Sequence, residues 1–337
     1  MNRKRTLVAA LIVLVAALAA GGLWLSQENR RFVDTPLTLP DEGLLFTVEP
    51  GMPLRAVAAE LERAGYLDNG LYLRLLARWR EQAGRIKAGE YFIARGTTPP
   101  QLLDQLVAGR VTTYSLTVVE GWTFRQMLDA LRRHEAVRHT LAGLTDEEIM
   151  ARLGRSGEHP EGRFLPETYQ FPRGITDLQF LRRAYAGMQR VLADAWETRS
   201  GDLPIDSPYE ALVLASIVEK ETGLASERAR IAGVFARRLE RGMRLQTDPT
   251  VIYGLGEAFD GDLRRRDLLA DTPYNTYTRA GLPPTPICLP GKAAIEAVMH
   301  PAEGQSLYFV ARGDGSHQFS DTLEAHNRAV RKYQLSR

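Results

Sequence analysis

The sequence predicts an α+β protein: an N-terminal transmembrane helix, a small α+β module, then a mixed helical and β domain with long loops. Three observations carry this expectation. An apolar run without a charge occupies Thr6 to Leu25. A short strand, a glycine turn and an amphipathic helix then recur three times between Leu44 and His134. Beyond Thr145 the pattern turns helical, broken by long segments rich in Gly, Pro, Thr, Asn and Tyr.

The apolar run is long enough to span the hydrocarbon layer of about 30 Å at about 1.5 Å per residue. Arg3, Lys4 and Arg5 precede it, so the positive-inside rule leaves residues 1–5 in the cytoplasm and the rest of the chain outside. A cleaved signal peptide is the alternative, because Ala17-Leu18-Ala19 has the small-residue form of a cleavage site; signal cores, however, usually run only about 7–15 residues. Residues 26–43, with Arg30, Arg31, Pro36 and Pro40, read as a polar linker.

Residues 44–110 form the module. Leu54, Val57, Ala58 and Leu61 share one helical face, as do Leu102, Leu103, Leu106 and Val107. Phe124, Met127, Leu128 and Leu131 repeat the pattern after the boundary. Pro53, Pro99 and Pro100 suit first turns, where a missing N–H costs nothing. The turns at Gly51, Gly96 and Gly121 are unequally spaced, which excludes a solenoid.

Residues 111–337 form the larger domain. Thr145 to Glu148 resembles a capping box, and Ser207-Pro208-Tyr209-Glu210 opens a helix through Ala211–Gly223. Segments 245–256 and 272–291 read as long loops too rich in Tyr, Ile and Leu for disorder. LYFVARGDGSHQFS reads as a hairpin turning at Gly313-Asp314-Gly315, with a last helix from about Asp321.

Composition narrows the function. A net charge of +2 offers no large basic surface, so no nucleic acid partner is expected. The histidines lack zinc spacing, with His134 and His139 five apart where a helical pair needs four, so no metal is expected. No Gly-rich phosphate loop or nucleophile elbow occurs, and no cofactor is expected. The single cysteine, Cys288, reads as a packed small residue.

The candidate chemistry centres on Glu219, which follows the apolar run ALVLASIV in the last turn of its helix. Burial and the negative end of the helix dipole both favour its protonated form, the state a general acid needs. Glu221 points about 200° away on an ideal helix, so the two form no adjacent dyad. The plain structural alternative makes Glu219 the first polar residue after a buried face. Gln246, Thr247, Asp248, Tyr253, Tyr274, Asn275 and Tyr277 gather amide, carboxylate, hydroxyl and aromatic groups in the loops. Such a set suits sugars, though turn formation and packing use the same residue types.

ASIVEKET (215–222), LQTDPTVIYGLG, YNTYTRAGLPPTPI and LYFVARGDGSHQFS, in that order, resemble the endolytic murein transglycosylases of the YceG-like family. EGRFLPETY, Glu161 to Tyr169, is similar to a further element of that family. The resemblance runs from about Leu44 to the C-terminus. It implies a LysM-like module at 44–110 and a catalytic domain at 111–337. It also implies an enzyme of the inner membrane, single-pass and facing the periplasm, that cuts peptidoglycan glycan strands, with cell-wall synthases as partners. The family's catalytic glutamate falls on Glu219, with Gln246, Thr247, Asp248, Tyr253, Asn275, Tyr277, Glu221 and Glu161 as candidates for holding the sugar or orienting the acid. Thr285 and Leu289 depart from the pattern, standing where Gly and Asn are expected. A muramidase that adds water with a second carboxylate, and a wall-binding scaffold without catalysis, are the two alternatives.

Overall fold

The structure, a computed structural model, describes residues 2–335, with the side chains of residues 2–13 and 25 outside the described set. The chain divides into two units: residues up to Tyr114 with Phe171–Arg173, and Ser115–Gln170 with Gly174–Arg337. The mixed α+β class expected from the sequence is what is found.

The first unit contains α1 (Asn2–Asp34), β1 (Leu44–Val48), α2 (Leu54–Arg63), α3 (Gly70–Trp79), β2 (Gly89–Ile93) and α4 (Pro99–Ala108). β1 and β2 pair antiparallel, with Leu44 opposite Ile93 and Val48 opposite Gly89. The apolar faces of α2 and α4 expected from the spacing close onto this hairpin, burying Leu54, Val57, Ala58, Leu61, Leu102, Leu103 and Leu106. Thr98 and Gln101 cap α4 reciprocally, and Gly109 ends it in the left-handed region.

Residues 26–43 differ from the polar linker read in the sequence. Helix α1 continues to Asp34, and Phe32 and Leu37 join the buried core of the first unit. Phe32 meets the Tyr72 ring of α3 at 5.4 Å between centroids. Leu37 N–H donates to Thr97 O and Thr38 N–H to Tyr66 O, so the stem is fastened by backbone bonds as well. Two arginines and two prolines signalled exposure, but the apolar residues between them decide the packing. The expected membrane helix, Thr6 to Leu25, falls in part outside the described side chains; among the described residues no helix is long and apolar enough to cross a membrane.

The division between units passes through β3 (Thr113–Thr117) and β5 (Thr168–Pro172). The second unit holds α5 (Phe124–Arg133), β4 (Val137–Arg138), α6 (Asp146–Arg152), β6 (Ile175–Thr176) and α7 (Asp177–Glu197). It continues with α8 (Pro208–Glu221), α9 (Ala225–Glu240), α10 (Asp248–Leu255), α11 (Arg265–Leu269), α12 (Lys292–Met299), β7 (Tyr308–Ala311), β8 (His317–Ser320) and α13 (Leu323–Tyr333). Helix α8 is buried on every side from Ala211 to Val218, as a helix apolar all round must be. Helices α7, α9 and α12 pack around it. Its start is fixed by Ser207, whose hydroxyl accepts from Glu210 N–H, and by Pro208 at the first helical position.

Segment 245–256, read as a loop, forms α10 from Asp248 with Pro249 in its first turn. Its Gly, Thr and Val lower helix propensity, and burial of Thr250 and Val251 overrides that preference. Segment 272–291 is the long ordered loop expected.

Phe32→Ala is expected to destabilise the first unit by about 3–5 kcal/mol, the usual cost of truncating a buried phenylalanine. Denaturant unfolding of the full chain checks this; an unchanged midpoint would return residues 26–43 to the status of a loose linker.

Candidate active site

The last turn of α8 is where its buried surface ends, and its two carboxylates leave on different sides. Glu219 is half-buried. Its Oε2 accepts a hydrogen bond of 2.9 Å from Gly291 N–H. Burial pushes its pKa up, the Gly291 bond opposes this, and the nearby Glu120 carboxylate adds to the rise. A side chain on Gly291 would require the Glu120 carboxylate to move aside. Leu289, one of the departures from the family pattern, is buried here and pairs its N–H with Trp122 O at 2.7 Å and its carbonyl with Gly121 N–H at 2.9 Å.

Glu221 faces a different environment. Thr247 Oγ1 donates to its Oε1. The carboxyl lies in a cleft of about 510 Å³ that Gln246, Thr247, Asp248 and Tyr277 also line. Burial raises its pKa; the Thr247 hydroxyl lowers it, Asp248 raises it, and His317 and Arg238 lower it. Tyr277 Oη donates to Asp248 Oδ1 at 2.5 Å, fixing both groups in the cleft wall. Gln246 sits at φ 51°, an uncommon conformation for a residue with a side chain. Its N–H donates to Thr276 O and that of Thr247 to Thr276 Oγ1, both at 3.1 Å, so Thr276 holds this bend.

Sequence reasoning missed the opposite wall. His317 on β8 is held twice by the Glu227 carboxylate of α9: Nδ1 lies 2.7 Å from Oε2, and its backbone N–H donates to Oε1 at 3.0 Å. Arg238 of α9 is buried, with Nε donating to Leu307 O at 2.6 Å and Nη1 to Leu245 O at 2.8 Å. These residues lie far apart in the chain, and the only signal for His317 was its place in the hairpin motif.

Glu161, Tyr253 and Asn275 do not meet this cleft. Glu161 is buried, with Oε1 accepting Phe124 N–H at 2.9 Å and Oε2 accepting Tyr253 Oη at 3.1 Å. Burial pushes its pKa to about 7, against hydrogen bonds from Phe124 N–H, Tyr253 Oη and the Gly162 backbone that favour the anion. Tyr253 packs edge-on to Tyr274 at 5.0 Å, and Tyr274 Oη is 2.8 Å from Thr285 Oγ1. Thr285, the other departure, thus serves this network. Asn275 is fully buried; its Nδ2 reaches the carbonyls of Asp267, Leu268 and Ala270 and its Oδ1 accepts Tyr277 N–H at 2.9 Å. Its amide is spent on the loop. Cys288 is buried too, with Sγ 3.3 Å from Ser216 O, and among the described residues no group of side chains is arranged to hold a metal.

Comparison with known proteins agrees over nearly the whole chain. The YceG-like family matches residues 46–332. The endolytic murein transglycosylase of Bacillus subtilis is 29% identical over 303 residues, covering 85% of this chain and 83% of that protein. The endolytic murein transglycosylase of Streptococcus pneumoniae D39 is 27% identical over 370 aligned positions, covering 98% of this chain but 66% of its own length. A crystal structure of a yceG-like protein from Listeria monocytogenes aligns with a TM-score of 0.55 at 27% identity, over 86% of this chain and 99% of the other.

The Glu161 environment makes a signed prediction. Its carboxyl binds a proton more tightly in the folded chain (about 7) than in the unfolded one (4.5). Its contribution to stability is therefore present below 4.5 and is lost as pH rises through about 7. Glu161→Gln is expected to flatten that decline, by about 1–3 kcal/mol between pH 4.5 and 8, in denaturant midpoints measured across pH. An unaltered pH profile would show that Glu161 is ionised throughout.

Proposed function

The chain belongs to the YceG-like family, and from that premise we propose that it is an endolytic murein transglycosylase. It cuts the bond from N-acetylmuramic acid to N-acetylglucosamine within peptidoglycan strands and leaves 1,6-anhydro ends. The observation that carries the reading is the Glu221 carboxyl, raised in pKa by burial, in one cleft with Thr247, Asp248 and Tyr277.

Glu221 takes the part of the acid that the sequence assigned to Glu219. Both carboxyls are pushed toward the neutral form. Glu221 shares a cleft with the hydroxyl, carboxylate and aromatic groups that suit a sugar. Neutral Glu221 donates its proton to the glycosidic oxygen, and the bond breaks through an oxocarbenium-like state. The resulting carboxylate takes the proton of the muramoyl 6-hydroxyl, whose oxygen closes on C1. The nucleophile is held within the same sugar, which substitutes proximity for a positioned water. One carboxyl therefore suffices. Gln246 and Asp248 are exposed at the cleft and are the groups available to sugar hydroxyls.

One observation favours a second reading. Asp248 brings another carboxylate into the cleft, and a muramidase would use it as the base for water. The product distinguishes them, since hydrolysis leaves a reducing end.

Thr6 to Leu25 anchors the enzyme in the inner membrane, single-pass, with the chain beyond it in the periplasm. Residues 44–110 are the LysM-like module that engages the wall, and cell-wall synthases are the partners within reach of such a placement.

Glu221→Gln is expected to lower turnover on purified glycan strands by about 10²–10⁴-fold, the usual contribution of a general acid. Glu219→Gln is expected to keep most of it, and mass spectrometry should find anhydro ends from the parent enzyme. Loss confined to Glu219→Gln would return the acid to Glu219. Reducing ends would establish the muramidase.

A further inference from the structure

Helix α3 of the first unit has two faces. Leu73, Leu76 and Ala77 are buried in the core. The other face presents Leu71 (49% exposed), Leu75 (50%) and Trp79 (82%), each four residues from the next. Residues at this spacing stand one above the other on a helix, so they form a continuous apolar stripe. Arg74 and Arg78, both exposed, run along one edge of it and have no ion-pair partner among the described residues. Arg80 follows and pairs with Asp104 at 3.2 Å. No acidic residue occurs between Gly70 and Arg80. Isolated exposed leucines are ordinary on a protein surface, but a tryptophan-ended stripe edged by unpaired arginines is not.

We propose that this face of α3 rests on a membrane surface, with Leu71, Leu75 and Trp79 in the headgroup layer of an anionic bilayer and Arg74 and Arg78 on its phosphates. The chemistry fits. A tryptophan ring with one polar edge settles at headgroup depth. A short helix with an apolar stripe and a basic edge lies in the plane of the interface. A protein partner would call for acidic groups against both arginines, whereas an anionic bilayer supplies phosphates to both at once.

Position points the same way, resting on the proposed anchor. Phe32, which packs on Tyr72 of α3, stands seven residues past Leu25 on the same continuous helix. That is about 10 Å along the axis, against a polar interfacial layer of roughly 5–8 Å on each side of the hydrocarbon. The stem from Thr35 to Thr38 is bonded to the rest of the unit at Thr97 and Tyr66. An anchor in the bilayer therefore holds α3 beside the lipid headgroups.

The test uses the full chain in nanodiscs whose phosphatidylglycerol is brominated near the headgroup end of the acyl chains. With Trp24→Phe in place, Trp79 emission is expected to be quenched relative to the Trp24→Phe, Trp79→Phe baseline. Exchanging phosphatidylglycerol for phosphatidylcholine, or introducing Arg74→Glu with Arg78→Glu, is expected to release the quenching, each arginine near an anionic leaflet being worth about fivefold in occupancy. Unquenched Trp79 overturns the proposal, as does quenching indifferent to lipid charge and to both arginines. So does shielding of Trp79 only when two copies share a disc, which would assign the stripe to a second copy. Trp24, read in the Trp79→Phe protein, reports the anchor separately. Quenched Trp24 with unquenched Trp79 leaves the anchor standing and removes the contact.

Discussion

The second unit is organised by one constraint: α8 is apolar on every side and has to be covered along its length. From Ala211 to Val218 the helix has no face for water, so α7, α9 and α12 enclose it. Burying a side chain of valine or leucine size contributes roughly 1.5–3 kcal/mol. Five such side chains, Leu212, Val213, Leu214, Ile217 and Val218, within a run of eight buried positions leave little freedom in where the helix ends. The final turn is consequently the one place where α8 can present polar groups. Ser216, within the run, shows what burial demands of a polar atom. Its hydroxyl donates to Val213 O at 2.7 Å and accepts from Ile287 N–H at 3.0 Å, so it is fully used.

That fixed exit explains why two glutamates on a single turn have different surroundings. Glu219 meets the segment around Gly121 and Gly291, where a backbone N–H satisfies it. Glu221, two residues on, meets the bend at Gln246 and Thr247. The bend exists because Thr276 accepts and donates across it: its hydroxyl lies 2.9 Å from Thr250 Oγ1 as well as accepting from Thr247 N–H. Asn275 beside it ties down the loop by its side chain. Residues that looked like sugar ligands in the sequence thus divide into those that face the cleft and those that build its wall. The division follows burial: Asn275 is enclosed, Asp248 and Gln246 are not.

Much of the fold was legible in the sequence because it rests on local periodicity. The apolar faces of α2, α4 and α5 follow from spacings of three and four, and each is buried as expected. The capping box at Thr145 and Glu148 is present, and the hairpin turns between Ala311 and His317. What was not legible depends on tertiary contact. Helix α10 forms against its own propensities because Val251 is enclosed. Helix α12, KAAIEAVM, is a short run of good helix formers whose burial against α7, α8 and α9 no local pattern announces. The pairing of Thr247 with Glu221 spans 26 residues, and that of His317 with Glu227 spans 90. No local pattern encodes either. Helical geometry did separate Glu219 from Glu221 in direction, but it could not say which direction opened on the cleft.

An acid that gives up a proton and later takes one back needs surroundings that hold neither state too firmly. Around Glu221 the two tendencies come from different parts of the unit. Burial and Asp248 favour the neutral carboxyl, while the Thr247 hydroxyl, His317 and Arg238 favour the anion. Burial is set by the end of α8 and cannot be adjusted without moving the core. The groups favouring the anion sit on α9, β8 and the bend before α10, and each is held by a partner of its own. Glu227 holds His317, the carbonyls of Leu245 and Leu307 hold Arg238, and Thr276 holds the backbone of Thr247. In the proposed mechanism these supports do no chemistry, yet they place the charges that let the carboxylate form in a buried site. A cavity that only raised the pKa would make a good proton donor once; in the proposed mechanism, the packing of the hairpin and α9 against the end of α8 supplies the groups that let the proton leave and return.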